Sequence, residues 1–215
     1  MIGDLTGDGI RGDVASFVLA GGGSSRFGRD KALVEVVGEV LLVRLCAVLR
    51  NVTSHVSVVG SPEKYGGFGV SCVSDQWPGE GPLGGIITAL LASAESGGPH
   101  QWNIIVGCDM PFLTSEWLAY LIQRSQASAA EVVAPQSAHG LEPLCACWRT
   151  SAVQKLQRAF EGGVRKVTEG MKHLTMEVLD ESHWKRFDSA DRLFWNMNTT
   201  ADYDEAKRIL KAERV

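Results

Sequence analysis

The chain has 215 residues, 45% of them hydrophobic, and a formal net charge of −4. This length suits one domain, because single hydrophobic cores grow comfortably to roughly 250 residues. The negative charge argues against a general nucleic-acid binder, since such proteins gain affinity from clustered Lys and Arg that neutralise phosphates. An anionic ligand must therefore be held by a local site.

The first thirteen residues are rich in glycine and aspartate. We expect residues 1–13 to form a flexible tail and residues 14–215 to form the single domain. The tail lacks the basic start and apolar stretch of a signal peptide, and no later stretch approaches the roughly 20 apolar residues of a membrane span. The sequence therefore predicts a cytoplasmic protein that contacts neither membrane nor nucleic acid.

Short apolar runs alternate along the chain with stretches of helical length. The predicted strands are Val14–Ala20, His55–Gly60, Val70–Ser74, Trp102–Gly107, Ala130–Ala134 and Pro143–Trp148. The predicted helices are Glu39–Asn51, Pro82–Ser96, Ser115–Ala127 and a closing helix from Ala201 to about Lys211. Strands alternating with helices of this length predict an α/β fold, in which helices cover both sides of a mostly parallel sheet.

A glycine-rich loop follows the first predicted strand. Residues 19–26 read Leu-Ala-Gly-Gly-Gly-Ser-Ser-Arg, and the loop ends at Asp30 and Lys31. Glycine lets the backbone approach phosphates and turn its N–H groups on them, and Arg26 and Lys31 add positive charge. A dinucleotide-binding fingerprint would need glycine at Arg26, and a Walker A loop would need Gly-Lys-Ser/Thr at residues 28–30. The pattern predicts a triphosphate loop of another kind.

Two further polar segments begin where predicted strands end. Asp75 opens the run Asp-Gln-Trp-Pro-Gly-Glu-Gly-Pro-Leu-Gly-Gly, and Asp109 lies in the run Gly-Cys-Asp-Met-Pro-Phe. Ligands of open α/β sheets bind at the carboxyl ends of the strands. We therefore expect both segments and the glycine loop to meet at one edge of the sheet.

Asp109 and Lys31 each have two interpretations. A carboxylate beside a triphosphate can hold Mg²⁺, which takes one or two protein carboxylates and completes its octahedron with phosphate oxygens and water. Alternatively, Asp109 only caps the turn that follows it. Lys31 is either a solvated surface lysine or a point charge on the phosphates. The residue types alone leave both choices open.

The loop after Asp75 and the amides near the C-terminus also have two interpretations each. The loop is either a rigid turn before a helix or a ligand loop, in which the N–H groups of Gly81, Leu83 and Gly84 face an acceptor at the helix start. Asn196 and Asn198 can both donate and accept, which suits a heterocycle or a phosphate ester. Alternatively, they form a turn before the last helix, with Thr199 or Thr200 as its cap.

Together these segments resemble the molybdenum cofactor guanylyltransferases, a family of nucleotidyltransferases. The resemblance spans nearly all of the chain from Val14 onward, and the ending Phe-x-Asn-x-Asn-Thr at residues 194–199 points most narrowly to this family. It implies a Rossmann-like three-layer fold of the nucleotide-diphospho-sugar-transferase type. It also implies transfer of GMP from Mg²⁺-bound GTP to the terminal phosphate of molybdopterin, with release of pyrophosphate.

The resemblance also implies which residues form the site. It assigns the metal to Asp109, and it assigns catalysis to Lys31, Asp109 and Arg26. It places the nucleotide against Leu19, Ala20, Gly21, Gly22, Lys31, Asp75, Gly81, Pro82, Leu83, Gly84 and Asp109. It places molybdopterin against Asn196 and Asn198. Because the acceptor phosphate attacks the nucleotide directly, no protein nucleophile is required.

The alternatives within this fold are a CTP-dependent molybdopterin cytidylyltransferase or another sugar- or alcohol-phosphate nucleotidyltransferase. A non-catalytic nucleotide-binding module is a more remote alternative. The resemblance further implies transient contacts with other proteins of molybdenum cofactor biosynthesis or with the enzymes that receive the product. The family tends to have Asn after the second strand, where this chain has Val59-Gly60-Ser61-Pro62, so one expected nucleotide contact is missing or moved.

Overall fold

The computed structural model describes residues 13–21, 30–98, 100–188 and 190–213. The strands are β1 (Val14–Leu19), β2 (Glu35–Val36), β3 (Glu39–Val40), β4 (His55–Gly60), β5 (Ser71–Ser74), β6 (Trp102–Gly107), β7 (Val132–Ser137), β8 (Gly140–Leu141), β9 (Cys145–Arg149) and β10 (Met176–Leu179). The helices are α1 (Leu41–Arg50), α2 (Pro62–Tyr65), α3 (Pro82–Glu95), α4 (Ser115–Gln126), α5 (Val153–Glu161), α6 (Val167–Met171), α7 (Glu181–Trp184) and α8 (Thr200–Ala212).

The central sheet has the strand order β10-β7-β9-β6-β1-β4-β5, and β8 pairs with β7 outside this path. β1 runs parallel to β4 and β6, β4 runs parallel to β5, and β7 runs parallel to β10. Only β9, along this path of described strands, runs antiparallel to its neighbours β6 and β7. The predicted α/β fold with a mostly parallel sheet is confirmed.

Each face of the sheet carries its own hydrophobic core, because successive side chains of a strand point to opposite faces. Val14 and Val18 of β1 belong to the core that α1, α4 and α8 cover. Ala15 and Phe17 belong to the other core, which α3, α5 and α6 cover. The sheet therefore lies between two helical layers, and its carboxyl edge is left for the loops that follow the strands.

Several predicted boundaries are close to those observed. β4 and β6 have the predicted bounds, and Thr114 caps α4 by accepting a hydrogen bond from the N–H of Trp117. The predicted helix Glu39–Asn51 is wrong at its start, because Glu39–Val40 pairs with Glu35–Val36 around a tight turn. Val37 and Gly38 both adopt positive φ there, which suits a two-residue hairpin.

Three of the predictions concern residues that the structure does not describe. Residues 1–12 lie outside the described residues, so the predicted tail and the single-domain boundary stay predictions. Gly22 and Arg26 also lie outside them.

Among the helices of the described ranges, none has the length and apolarity to cross a membrane.

Candidate active site

A cavity of about 400 Å³ opens where β1, β4 and β6 end. Most of the predicted nucleotide-binding residues line it: Leu19, Ala20, Gly21, Lys31, Asp75, Gly81, Pro82 and Asp109. Three segments that are far apart in sequence therefore meet at one sheet edge, as expected from the parallel strands. We call this space the first cavity.

Leu83 and Gly84 do not line the first cavity. The Leu83 side chain is fully buried and lies against Gly170. The N–H of Gly84 donates to the carbonyl of Gly81 at 3.2 Å, within the first turn of α3. Gly85 lines the cavity instead and packs against Leu19. Nucleotide contact by Leu83 and Gly84 stays a prediction.

Lys31 joins two parts of the chain. Its amine donates to Oδ2 of Asp109 at 3.2 Å and to Oδ1 of Asn198 at 2.9 Å. These partners lie 78 and 167 positions away in sequence. The Lys31 side chain is only 16% exposed. Its position between a carboxylate and an amide shows that Lys31 is more than a solvated surface lysine.

Asp30 fixes the backbone that carries Lys31. Its Oδ1 accepts a hydrogen bond from the N–H of Ala32 at 3.1 Å and caps the short 3-10 helix Lys31–Leu33. Its Oδ2 accepts a hydrogen bond from the hydroxyl of Tyr65 at 2.8 Å. Asp30 therefore stabilises the turn, and Lys31 extends from this turn towards Asp109 and Asn198.

Tyr65 is a site residue that sequence reasoning missed. Burial, and then its hydrogen bond to Asp30, raise the pKa of this phenol well above its usual range, so the hydroxyl stays a donor. The ring lies against Gly60, where an added Cβ would be 2.6 Å from the ring. Gly60 lies in the segment of residues 59–62, where the family resemblance predicts an Asn. A glycine at the end of a strand leaves room for a neighbouring side chain, so Gly60 was the one signal in the sequence for the position of Tyr65.

Asp109 extends from the end of β6 over Gly107. An added Cβ at Gly107 would lie 2.9 Å from Oδ1 of Asp109, so glycine leaves the room that the carboxylate occupies. The backbone carbonyl of Asp109 accepts a hydrogen bond from the N–H of Met197 at 2.9 Å. This bond ties the end of β6 to the segment that carries Asn196 and Asn198.

The carboxylates present fit one class of metal site. Across the described ranges, no group of three His, Cys, Asp or Glu side chains could hold a metal ion by itself. Asp109 offers one carboxylate in the first cavity, beside the predicted phosphate loop. Mg²⁺ commonly takes one or two protein carboxylates and completes its octahedron with substrate phosphates and water. The donor set therefore fits a divalent cation that shares the site with a triphosphate.

Asp75 has features of both interpretations. Its Oδ1 accepts hydrogen bonds from the N–H of Trp77 at 3.0 Å and from the hydroxyl of Thr88 at 3.2 Å. These bonds make the loop a rigid turn against α3. The half-buried side chain nevertheless lines the first cavity. The turn therefore holds the carboxylate beside the first cavity in a fixed orientation.

A second, larger cavity of about 980 Å³ adjoins this site. Asn196 and Asn198 line it, together with the hairpin of β7 and β8 and the segment around α7. Thr199 caps α8 through a capping box with Asp202, as one of the two predicted alternatives required. Because Asn198 also accepts from Lys31, the first and second cavities meet at the contact between these two side chains.

The thiol at the site is inert. Burial, followed by the charges of Asp109 and Asp30, raises the pKa of Cys108 to about 12. The thiolate is the nucleophilic form of cysteine, so Cys108 is unreactive near neutral pH.

Residues 16–176 match the family model of the MobA-like NTP transferase domain. The probable molybdenum cofactor guanylyltransferase of Pelotomaculum thermopropionicum is 29% identical over 198 residues, which cover 92% of this chain and 93% of the relative. The protein of the same name from Chloroflexus aggregans is 31% identical over 194 residues, which cover 88% of this chain and 91% of the relative.

A solved structure is also similar to this chain. The crystal structure of molybdopterin-guanine dinucleotide biosynthesis protein A from Archaeoglobus fulgidus has a TM-score of 0.79 and 25% identity to this chain. The match covers 92% of this chain and 99% of that chain. The predicted family is confirmed, and the chain belongs to the MobA-like NTP transferase family.

Proposed function

We propose that this protein transfers GMP from GTP to the terminal phosphate of molybdopterin and releases pyrophosphate. The observation that carries the proposal is the position of Lys31, which contacts Asp109 in the first cavity and Asn198 in the second. A group-transfer enzyme needs two substrates held side by side, and the two cavities meet at this lysine. The names of the relatives supply the identity of the substrates.

The first cavity suits the nucleotide. Ala20 and Gly21 begin the glycine-rich loop at the end of β1, where backbone N–H groups can face phosphates. The turn after Asp75 and the start of α3 at Gly81 and Pro82 form the part of the cavity that we assign to the ribose and base. Arg26, outside the described residues, is proposed as a further cation for the phosphates.

Asp109 is the residue that would hold Mg²⁺, the predicted cofactor. When bound, Mg²⁺ would neutralise part of the charge on the phosphates. Lys31 is placed to offset the negative charge that develops on the transferred phosphoryl group and the leaving pyrophosphate. The family is consistent with a divalent metal, and the choice of Mg²⁺ is part of the proposal.

The reaction balances without a covalent enzyme intermediate. A phosphate oxygen of molybdopterin attacks the α-phosphorus of GTP and forms a new P–O bond. The bond between the α-phosphorus and the oxygen that bridges to the β-phosphate breaks, and pyrophosphate leaves with the electron pair. The protein contributes alignment and charge neutralisation, which can supply most of the rate enhancement of such a transfer.

The test is to incubate the protein with molybdopterin, Mg²⁺ and each of the four ribonucleoside triphosphates in turn. We expect GTP to give a product that carries one added guanylyl group, with one equivalent of pyrophosphate. Asp109→Asn should remove this activity, because the lost carboxylate acts at the reacting phosphates. Faster turnover with CTP would make the protein a cytidylyltransferase. Binding of nucleotide without turnover would make it a binding module.

A further inference from the structure

The second cavity is lined by several carboxylates, and most of them already have partners in the described parts of the chain. Asp188 accepts hydrogen bonds from the backbone N–H groups of Arg192 and Leu193, at 2.9 and 2.7 Å. Asp180 caps α7, and Glu181 and Asp191 both pair with Lys185. These partners hold four of the carboxylates in the wall of the cavity, and Lys185 neutralises part of the charge of Glu181 and Asp191.

Glu142 differs from this group. Its Oε1 accepts a hydrogen bond from the hydroxyl of Ser137 at 2.6 Å. Among the described residues, no Lys or Arg forms an ion pair with it. A carboxylate has about four acceptor positions on its two oxygens, so the Ser137 hydroxyl leaves most of them for other donors.

The backbone holds Glu142 in place beside the cavity. Its N–H donates to the carbonyl of Pro135 at 2.9 Å, and its carbonyl accepts from the N–H of Cys145 at 3.0 Å. Glu142 is half-buried, and burial raises the pKa of its carboxyl, so this acceptor is poorly solvated. A hydrogen bond made in such a place is stronger than one made in water.

Aromatic side chains line part of the same cavity. Trp195 lines it and stacks on Phe112, with ring centroids 5.5 Å apart and planes 14° apart. Phe194 and Trp184 also line the cavity. A flat heterocycle with hydrogen-bond donors on one edge would suit a cavity lined by both the partly exposed Trp195 ring and the carboxylate.

We propose that Glu142 is a specificity-determining residue, which binds the edge of a pterin that carries the ring N–H and the neighbouring amino group. These donors are adjacent and parallel, so one carboxylate can accept from both. The inference rests on the proposed function, because it takes a pterin as the occupant of the second cavity. A ring with a carbonyl in place of the amino group would point an oxygen at the carboxylate and be rejected.

The test compares two small ligands that differ at this group, hydroxymethylpterin and hydroxymethyllumazine. Each is titrated into the protein without nucleotide or metal, and binding is followed by ligand fluorescence. We expect the wild type to prefer the pterin by roughly tenfold or more, since a site built for a donor rejects an analogue that lacks it. Glu142→Gln should lose this preference, because a carboxamide offers both a donor and an acceptor.

Glu181→Gln is the matched control, because Glu181 lines the same cavity but pairs with Lys185. It should keep the wild-type preference, and circular dichroism should show that both variants fold. The inference is overturned if Glu142→Gln keeps the preference, if Glu181→Gln loses it equally, or if the wild type binds neither ligand. Guanylyl transfer by the wild type is measured separately. Its absence beside an intact pterin preference would contradict the proposed function and not the role of Glu142.

Discussion

At the scale of single residues, the site depends on small residues that leave room for charged ones. Gly107 has no Cβ, and the Asp109 carboxylate occupies the space that a Cβ would take. Gly60 makes similar room for the ring of Tyr65, whose hydroxyl bonds to Asp30. An added methyl group would meet the end of a side chain at Gly107 but a backbone carbonyl at Gly60. We therefore expect Gly107→Ala to lower activity and Gly60→Ala to lower stability.

Gly107→Ala should lower activity more than stability. The added Cβ would lie 2.9 Å from Oδ1 of Asp109, at the free end of a side chain that can rotate away. The carboxylate would then leave its position, and a displacement of about 1 Å at a reacting centre can cost on the order of 100-fold in rate. Turnover and thermal unfolding measured on the same preparation check this. An active variant would show that the Asp109 position is not critical.

At the scale of elements, β1, β4 and α2 are held together where the predicted phosphate loop begins, at Ala20 and Gly21. The N–H of Ala20 donates to the carbonyl of Val59 at 2.9 Å, so the end of β1 is fixed against β4. The ring of Tyr65, at the end of α2, lies against Gly60. The start of the loop that leads to Lys31 therefore rests on this junction.

Gly60→Ala should destabilise the fold. The added Cβ would lie 2.5 Å from the backbone carbonyl of Ala20 and 2.6 Å from the Tyr65 ring, and the carbonyl cannot move without disturbing the sheet. Overpacking of this kind costs about 1–3 kcal/mol of unfolding free energy. Thermal or urea unfolding measures it.

Gly66→Ala is the control for this prediction, because an added Cβ there would meet nothing within 4 Å. Its backbone is in the right-handed helical region, which alanine adopts without strain. Equal stability of the Gly60 and Gly66 variants would refute the packing argument.

The elements differ in how well the sequence predicts them. β4 and β6 were predicted with their observed bounds, because they are short apolar runs between turn residues. α5 was not predicted, although Val153, Leu156 and Phe160 are buried at the spacing typical of an amphipathic helix. β3 was predicted as the start of a helix, because the turn before it, at Val37 and Gly38, adopts positive φ that local propensity does not reveal for valine.

At the scale of the whole molecule, the parallel sheet explains why much of the site could be predicted. Lys31, Asp75 and Asp109 follow β1, β5 and β6 in the chain, and all three line the first cavity, as the motifs after the strands indicated. The contact between Lys31 and Asn198 spans 167 positions and depends on how α8 and its cap pack. No local pattern contains that information. The cytoplasmic location and the transient protein partners stay predictions.

The central claim is that nucleotide and acceptor lie in adjoining cavities that meet at Lys31. The most direct test is to titrate GTP and molybdopterin separately against Asn198→Ala, with Lys31→Ala as the converse variant. Removing the Asn198 amide takes hydrogen bonds from the acceptor side, a loss of about 1–3 kcal/mol for each unsatisfied group. We expect KM for molybdopterin to rise by roughly tenfold or more. The Kd for GTP should stay near the wild-type value, because Lys31 loses its bond to Asn198 but keeps the one to Asp109. Lys31→Ala should weaken GTP far more than guanosine, because it removes a charge from the phosphates. If Asn198→Ala weakens GTP and leaves molybdopterin unchanged, the two cavities have been assigned to the wrong substrates.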